Sequence, residues 1–293
     1  MSTYIAVDWG STHLRAWRVH QGECTDSIRL EAGITRLAGR HPRDILKSLI
    51  EGWQAQNTPV LMAGMVGSNA GWQSVPYLAC PVMLDQLGSH LTRIEENIWI
   101  VPGVSLDEKP DLNVMRGEET QLSGAWQLAP STLYVLPGTH CKWVQVEAGR
   151  LQHFKTVMTG EMHYALLNHT LIGHGLPEQK NDPEAFLSGL MRGLSDGDIL
   201  PLLFEIRAGC VLERLPKASV SEHLSGLLIG AEIAQMRRVY GCLSQEQITL
   251  VGSSQLAERY QQAFSLCGIT AKILAGDTAF LQGIRSLSHA LHV

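Results

Sequence analysis

The sequence predicts an α/β fold built from two related domains, and three observations lead to that prediction. The chain has 293 residues, which is long enough for two domains that each bury a core of their own. A strand–turn–strand pattern with a small polar turn occurs twice, over residues 4–19 and over residues 133–146. Helical and extended patterns alternate elsewhere, as is typical of α/β proteins.

The first of these two patterns has a polar turn that starts with a carboxylate. The apolar run before the turn ends in Asp8, and Gly10, Ser11 and Thr12 follow. Glycine allows a tight turn whose N–H groups face an anion, a carboxylate can hold hydrated Mg²⁺, and hydroxyls can donate to phosphate oxygens. The same residue types are common in solvated hairpin turns. We expect a hairpin with Asp8 at its tip, and two interpretations stay open: a nucleotide-phosphate site and an ordinary turn.

A second glycine-and-hydroxyl turn lies near the middle of the chain. Its residues are Gly138, Thr139 and His140. A third predicted strand, 151–157, follows this hairpin, as a run near 27–30 follows the first. Two such three-strand units predict two related domains that face one nucleotide across a cleft. No low-complexity linker separates them, so the organisation alone places the boundary near 124–131.

Helices are predicted wherever apolar residues recur at helical spacing. The predicted helices are 43–53, 118–128, 183–194, 221–240 and 277–291. Ser221 and Asp277 are expected to cap the last two of them. Apolar runs at 60–63 and 248–251 predict buried strands.

A third glycine-rich strand end follows residue 251. Gly252 and Ser253 stand between this predicted strand and another helix, where a turn lets a nucleotide base or ribose approach the backbone. Many α/β proteins use such a turn only for packing, so both interpretations stay open.

Composition and charge exclude several classes of protein. The formal net charge is −5 and no dense run of lysine or arginine occurs, which argues against a nucleic-acid groove. No apolar run approaches the ~18 residues that span a membrane. The six cysteines are scattered without a Cys-x-x-Cys pair, so neither a disulfide framework nor a zinc site is expected.

The amino terminus lacks the features of a secretory signal, so we expect a cytoplasmic protein. The oligomeric state is left open, a homodimer included.

Two adjacent carboxylates follow a glycine just before the expected domain boundary. Glu118 and Glu119 come directly after Gly117, at the start of a predicted helix whose positive end stabilises a carboxylate. One of them could accept a proton from a bound hydroxyl. Residues one apart do not share a helix face, so only one is expected to face inward. Glutamate is also favoured in a first helical turn for structural reasons alone.

These motifs resemble those of the sugar kinase, actin and Hsp70 superfamily and occur in the same order. They are residues 8–12, 117–119, 137–140 and 252–253. More closely, the chain resembles the 2-dehydro-3-deoxygalactonokinase family. The segments that carry this closer resemblance are 8–10, 14–17, 64–68, 116–119 and 136–140. The resemblance implies two ribonuclease H-like (actin-like ATPase) domains, 1–126 and 127–293, with a nucleotide cleft between them.

The resemblance also implies an activity and its cofactors. The expected enzyme is a carbohydrate kinase that uses ATP and Mg²⁺ to phosphorylate 2-dehydro-3-deoxy-D-galactonate at O6, a step of galactonate degradation. Asp8 and Glu118 are the implied catalytic residues, with Asp8 also the metal ligand. The implied nucleotide-binding residues are Gly10, Ser11, Thr12, Gly138, Thr139, His140, Gly252 and Ser253.

The chain departs from the superfamily pattern at two places. Pro137 stands where the second phosphate turn often has an aspartate, so metal anchoring would depend mainly on Asp8. Gly117, Glu118 and Glu119 stand where related kinases have a Gly-Asp-Gln segment, so the role of general base passes to Glu118, with Glu119 as the competitor.

A sugar-acid substrate also needs a cation for its carboxylate. The candidates near the motifs are Arg15, Arg116, Lys142 and Arg192. Gly67 and Ser68 are expected to contact the substrate, with a close-packed turn as the alternative for their segment. Two rival functions stay open: another sugar-acid kinase or an exopolyphosphatase-like hydrolase of the same fold, and a non-catalytic nucleotide-dependent binding protein.

Overall fold

The chain divides into two compact units in its computed structural model, which describes residues 3–108, 110–196 and 198–291. Unit 1 comprises Met1–Thr132, Val144–Phe154 and Leu274–Val293, and unit 2 comprises Leu133–Trp143 and Lys155–Ile273. The chain thus returns twice to unit 1 after residue 132. The division into domains 1–126 and 127–293 stays a prediction.

Strands and helices alternate along the described part of the chain, so the predicted α/β class is confirmed. The strands are β1 Thr3–Trp9, β2 Leu14–His20, β3 Glu23–Leu30, β4 Val60–Gly64, β5 Tyr77–Ala79, β6 Val82–Met83, β7 Thr92–Glu95, β8 Ile98–Ile100, β9 Gly103–Glu108, β10 Asp111–Met115, β11 Leu133–Leu136, β12 Cys141–Glu147, β13 Arg150–Val157, β14 Ile248–Gly252 and β15 Ala271–Ala275. The helices are α1 Pro42–Gly52, α2 Glu118–Leu128, α3 Thr159–His169, α4 Pro183–Asp196, α5 Ile199–Val211, α6 Val220–Tyr240, α7 Ser254–Leu266 and α8 Gly276–Ser288.

The main sheet of unit 1 contains the first predicted hairpin. Its strand order is β3-β2-β1-β4-β8-β7, in which β1 and β2 are antiparallel and β4 lies parallel to β1. Asp8 pairs with Arg15 across the hairpin, and the strands end at Trp9 and Leu14. The expectation that Asp8 lies at the tip is therefore wrong, because the ladder extends one residue beyond it and residues 10–13 form the turn.

The second hairpin repeats this arrangement. β11, β12 and β13 are consecutive in their sheet, and β14 lies parallel to β11, with β15 beyond it. The order β13-β12-β11-β14 matches β3-β2-β1-β4 of the first sheet. The repeat that the sequence pattern indicated is confirmed at the level of strand topology. A smaller three-stranded sheet, β10-β9-β5, completes unit 1.

The two units have separate apolar cores. In unit 1, side chains of β1, β2 and β4 pack with α1, and Trp9 and Trp17 are buried. In unit 2, β11, β12 and β14 pack against α4, α6 and α7. A further cluster in unit 2 joins α5 to α6. Burial of apolar surface, at roughly 25 cal/mol per Å², supplies the main stabilisation in both cores.

Several helix boundaries differ from the predictions. The two expected caps are wrong: α6 follows Ser219 and α8 follows Ala275, and neither residue makes a side-chain capping hydrogen bond. Asp277 instead lies in the first turn of α8, which ends at Ser288 rather than at 291. The helices α3 and α5 were not predicted. Among the residues described, no helix is long and apolar enough to cross a membrane.

Candidate active site

Asp8 lies in a charged cluster inside unit 1. Its carboxylate, 14% exposed, is paired with the guanidinium of Arg15, and the same guanidinium is paired with Asp277 at the start of α8. Burial raises the pKa of Asp8 and the negative charge of Asp277 adds to this, while the adjacent Arg15 lowers it. The cluster therefore places two carboxylates around one positive charge.

The turn after Asp8 exposes its small polar residues. Ser11 and Thr12 are exposed, whereas Trp9 directly before the turn is buried and donates from Nε1 to the Ala32 carbonyl over 2.8 Å. The carbonyl of Ser11 accepts hydrogen bonds from the backbone N–H and the hydroxyl of Thr35, at 2.9 and 2.7 Å. Thr35 thus fixes the turn through the Ser11 carbonyl, while the side chains of Ser11 and Thr12 are exposed to solvent.

Two glycines bring the end of β1 close to the start of α2. Gly64 and Gly117 have φ values of 96° and 111°, in the region that favours glycine. A Cβ at Gly64 would lie 2.7 Å from the Trp9 carbonyl oxygen and 3.5 Å from Oδ1 of Asp8. A Cβ at Gly117 would lie 3.3 Å from the Cα of Gly64. Because of this close packing, the start of α2 and its two glutamates are near the Asp8 end of β1.

Glu118 and Glu119 face different surroundings, as their spacing predicts. Glu118 is half-buried and accepts a hydrogen bond from the Arg116 backbone N–H at 3.1 Å. Glu119 is fully buried and accepts from the Gly117 N–H at 2.7 Å and the Thr120 hydroxyl at 3.1 Å. Burial, with the nearby charge of Glu118, raises the pKa of Glu119 to about 8. Glu119 is thus the inward-facing residue of the pair and supports the start of its own helix.

Arg116 is held against the segment that contains Gly67 and Ser68. Its Nη2 donates to the Val75 carbonyl over 2.6 Å, and its guanidinium lies 4.2 Å from the centre of the Tyr77 ring. A Cβ at Gly67 would lie 2.9 Å from Nη1 of Arg116, a buried atom with no hydrogen-bond partner among the described residues. The Ser68 hydroxyl donates to the Met65 carbonyl over 2.7 Å. The segment is a close-packed turn with a guanidinium beside it, and its contact with substrate stays a prediction.

The second predicted phosphate turn lies in unit 2 and is supported by the start of α3. The Glu161 N–H donates to the Thr139 carbonyl over 3.0 Å, and the Glu161 side chain pairs with that of His140. A Cβ at Gly160 would lie only 2.5 Å from the Gly138 carbonyl oxygen. Thr139 and His140 are exposed. The amino terminus of α3 thus fixes the position of this turn.

A cavity of about 220 Å³ opens beside this turn, within unit 2. Gly138 and the first residues of α3 form one side of it, and α6 and α7 form the other. Arg259 of α7 lines it and is fixed there, donating to Glu222 over 2.8 Å and to the Ser225 hydroxyl over 3.0 Å. The cavity combines a glycine turn and helix starts, which suit an anionic group, with the ion pair of Arg259 and Glu222, whose charges offset each other.

The remaining predicted residues of unit 2 differ in accessibility. A Cβ at Gly252 would lie 3.7 Å from the Pro137 carbonyl oxygen, so the late glycine turn is next to the phosphate turn. Ser253 is exposed and directly precedes α7. Lys142 is only 4% exposed and donates to the Thr156 hydroxyl over 3.0 Å. Arg192 is paired with Glu205.

Three charged residues at these sites were not singled out for function by the sequence. Asp277 was interpreted only as a helix cap, and Glu232 and Arg259 received no role. Two of them have partners far along the chain. Asp277 pairs with Arg15, 262 positions away, and Glu232 accepts a hydrogen bond from Trp143, 89 positions away. A glutamate within the apolar stretch of α6 was the one visible sign of a buried polar site, since isolated charges are rarely buried without partners.

Comparison with solved structures first establishes the class of fold. The activator of the 2-hydroxyisocaproyl-CoA dehydratase from Clostridium difficile, solved with bound ADPNP, aligns with 98% of this chain and 95% of its own at a TM-score of 0.56 and 12% identity. At that identity the likeness concerns the fold alone. The predicted class, α/β with two ribonuclease H-like (actin-like ATPase) domains, is confirmed.

The family follows from the sequence itself. The profile of the 2-keto-3-deoxy-galactonokinase family matches residues 8–287, and the chain belongs to this family. It is a carbohydrate kinase, and therefore a phosphotransferase. The resemblance stated from the motifs is confirmed, and the non-catalytic alternative is excluded.

Individual relatives agree over nearly the whole chain. The chain is 54% identical to the 2-dehydro-3-deoxygalactonokinase of Escherichia coli (strain K12), over 98% of each sequence. It is 32% identical to a probable 2-dehydro-3-deoxygalactonokinase of Rhizobium meliloti (strain 1021), over 98% of this chain and 97% of the relative. A crystal structure of a provisionally assigned 2-dehydro-3-deoxygalactonokinase from Sinorhizobium meliloti aligns at a TM-score of 0.91 and 31% identity, covering 99% of this chain and 97% of that one.

Proposed function

We propose that this chain transfers the γ-phosphoryl group of ATP to O6 of 2-dehydro-3-deoxy-D-galactonate. The product is 2-dehydro-3-deoxy-6-phospho-D-galactonate, formed in galactonate degradation. The structural observation that carries the proposal is the packing of Gly64 on Gly117, which brings Asp8 and the start of α2 together in unit 1. Because ATP is the phosphoryl donor, we also propose a cytoplasmic location.

Asp8 is our proposed ligand for Mg²⁺. Mg²⁺ keeps several waters and takes one or two protein carboxylates together with substrate phosphates. The surroundings fit such an ion, because Asp8 and Asp277 already converge on the positive charge of Arg15. No cage of three or more acidic, histidine or cysteine side chains occurs in the part of the chain that is described, and this mode of binding does not require one. When bound, the ion supplies charge neutralisation at the transferred phosphoryl group.

Glu118 is our proposed general base. A base must reach the hydroxyl proton that it removes, and geometry decides this before the pKa does. Glu118 is half-buried, while Glu119 has no exposed surface and uses both carboxylate oxygens within its own helix start. Glu118 would orient the O6 hydroxyl and accept its proton as the phosphoryl group is transferred. Glu119 remains the competing candidate that the experiment below must exclude.

The two glycine turns are our proposed phosphate-binding elements. In unit 1, Gly10 and the hydroxyls of Ser11 and Thr12 would contact phosphate oxygens. In unit 2, the corresponding group is Gly138, Thr139 and His140. We assign the nucleoside to the adjoining cavity of unit 2, with Gly252 and Ser253 at its edge. Alignment and charge neutralisation supply most of the catalysis in phosphoryl transfer.

The acid end of the substrate requires a cation, and the contacts favour Arg116 among the predicted candidates. Arg15 is already paired with two carboxylates, and Lys142 is buried and hydrogen-bonded to Thr156. Arg116 lies beside Gly67 and Ser68, in the same unit as Glu118. A guanidinium suits a carboxylate through its paired donors. Gly67 and Ser68 would then contact the sugar acid beside it.

A homodimer is our proposed oligomeric state. Leu200, Phe204 and Val211 lie on one face of α5, and each is at least 65% exposed. An exposed apolar stripe of this kind marks an interaction surface in many proteins. Light scattering coupled to size exclusion tests the proposal: we expect twice the chain mass and a monomer for Phe204→Glu, whereas a monomeric wild type contradicts it.

A coupled ADP-release assay tests the proposed reaction. The enzyme is supplied with ATP and Mg²⁺ against 2-dehydro-3-deoxygalactonate, its gluco epimer, simple hexoses and no acceptor. We expect turnover that depends on an acceptor and is fastest with the galacto acid. Preference for the gluco acid would support a different sugar-acid kinase. Equal ADP release in every sample would support an exopolyphosphatase-like hydrolase and contradict the proposal.

A further inference from the structure

Glu232 is a buried carboxylate of unit 2 that the proposed mechanism does not use. It lies in the middle of α6 and is 3% exposed. Its carboxylate accepts hydrogen bonds from Trp143 Nε1 at 2.6 Å, from the Tyr260 hydroxyl at 2.6 Å and from the Thr159 hydroxyl. A carboxylate offers about four acceptor positions, so three uncharged donors occupy most of those of Glu232.

The three donors belong to three different elements of unit 2. Trp143 is in β12, Thr159 is the first residue of α3, and Tyr260 is in α7. Glu232 therefore joins three elements to α6 through one buried group. A partly satisfied buried carboxylate is costly, and a fully satisfied one fixes the groups around it.

Two of the three donors form part of the cavity wall. Thr159 and Tyr260 line the cavity together with Gly138 and Gly160. The residues after Thr159 support the phosphate turn, since Gly160 packs on Gly138 and the Glu161 N–H bonds to Thr139. Trp143, by contrast, packs in the core against Phe264 and Tyr240 and is not among the residues that line the cavity. The carboxylate thus connects the core of unit 2 to the wall of its cavity.

We propose that Glu232 is a positioning residue for the nucleotide: it fixes Thr159 and Tyr260, and through Thr159 the turn at residues 137–140. The ligand class is a nucleoside triphosphate, and this inference rests on the proposed assignment of the cavity to the nucleoside. Glu232 itself does not contact the ligand. Its effect is on the affinity for nucleotide, whereas recognition of the sugar acid belongs to unit 1.

The primary test is Glu232→Gln. The amide has nearly the same shape but replaces one acceptor oxygen by a donor. Trp143 Nε1 donates to Oε1 and both wall hydroxyls donate to Oε2, so the amide cannot accept from both sides and the hydroxyls must rearrange. We expect the dissociation constant for a non-hydrolysable ATP analogue, measured by calorimetry, to rise about 10-fold. The KM for ATP should rise in parallel, while the KM for the sugar acid and kcat stay within about 3-fold of wild type. If Glu232 had only a structural role, the variant would have a lower melting temperature, and the KM for ATP would not rise more than the KM for the sugar acid.

Matched variants separate positioning from stability. Thr159→Val removes a wall hydroxyl and should weaken nucleotide binding. Thr159→Ser keeps the hydroxyl and should bind nucleotide as the wild type does. Trp143→Phe removes a donor on the core side of the same carboxylate, so it should lower the melting temperature without changing nucleotide affinity. If Glu232→Gln does not fold, Thr159→Val and Tyr260→Phe carry the test. Unchanged nucleotide affinity in folded variants overturns the inference.

A further variant distinguishes failure of the inference from failure of the proposed function. Leu256 lines the cavity, and Leu256→Trp should fill it and abolish binding of the ATP analogue. If the wild type binds no nucleotide, the proposed function is itself contradicted. If wild type and Leu256→Trp bind equally, the nucleotide does not occupy this cavity and the positioning role is overturned, while the kinase activity is untouched.

Discussion

The two glycine-turn hairpins share a strand topology but are associated with different carboxylates, one half-buried and one buried. In unit 1 the carboxylate is Asp8, part of the hairpin itself and paired with the charged Arg15. In unit 2 it is Glu232, which comes from α6 and is bonded to uncharged donors. An ion-paired carboxylate can exchange one cation for another, whereas a carboxylate that accepts from several neutral donors holds its neighbours in place. We infer that the first hairpin supplies charge for the reaction and the second supplies position.

The largest effect is expected for Asp8→Asn. This change removes the proposed metal ligand and leaves Arg15 to pair with Asp277 alone. Charge stabilisation by a metal supplies several kcal/mol, so kcat should fall by about 10⁴-fold. Binding of an ATP analogue to unit 2 should persist, as calorimetry would show. Near-normal turnover in the variant would rule out Asp8 as the main anchor.

The next effect is expected for Glu118→Gln. Loss of a general base costs about 10²–10⁴-fold in rate, so kcat should fall within this range while both KM values change little. Glu119→Gln is the matched control, because the neighbouring carboxylate has no exposed surface. Initial-rate kinetics of the two variants compare the candidates directly. A large loss of kcat only in the Glu119 variant would reverse the assignment.

Glu119 should instead affect the pH dependence of stability. Its pKa is about 8 in the folded protein and near 4.5 when unfolded. Between these values the folded state keeps a proton that the unfolded state releases, so the free energy of unfolding should fall as the pH rises from 5 to 8. The contribution is roughly 2–4 kcal/mol over this window. Urea unfolding at several pH values should show a flatter profile for Glu119→Gln, and an unchanged slope would contradict this.

A smaller effect is expected at the second hairpin for Gly160→Ala. The added Cβ would lie 2.5 Å from the Gly138 carbonyl oxygen, so the phosphate turn must shift. We expect about a 10-fold rise in the KM for ATP, comparable to the loss of one well-made contact. The KM for the sugar acid should stay unchanged. Gly52→Ala is the control, since a Cβ there meets nothing within 4 Å. If the two variants have equal kinetics, the turn does not contribute to ATP binding.

The sequence predicted β1–β4, β11–β14 and most of the helices, because their signals are local, and it did not predict β5–β10 or β15. The predicted helix 118–128 coincides with α2, and 183–194 falls within α4. The unpredicted α5 is apolar on most faces and contains Pro201, so periodicity did not identify it as a helix. α3 begins with Thr159 and Gly160, which resemble a turn in sequence.

The candidate site was predictable only where a motif carries it. Asp8, the pair of Glu118 and Glu119 and the glycine turns follow from residue type and spacing. The choice of Glu118 follows from the family resemblance, and all assigned roles stay predictions. The pairing of Arg15 with Asp277 and the bonding of Glu232 depend on contacts between residues far apart in the chain. Such contacts leave no periodic signal. For this reason Asp277 was interpreted as a cap, and Arg15 as a free cation for substrate.

The most direct test of the account compares Asp8→Asn and Glu232→Gln in one set of initial-rate measurements, with ATP varied at saturating sugar acid and Mg²⁺. The account predicts that Asp8→Asn loses kcat by about 10⁴-fold, while Glu232→Gln keeps kcat and raises the KM for ATP by about 10-fold. If both variants change the same kinetic parameter to a similar extent, the division between a hairpin that supplies charge and a hairpin that supplies position is wrong.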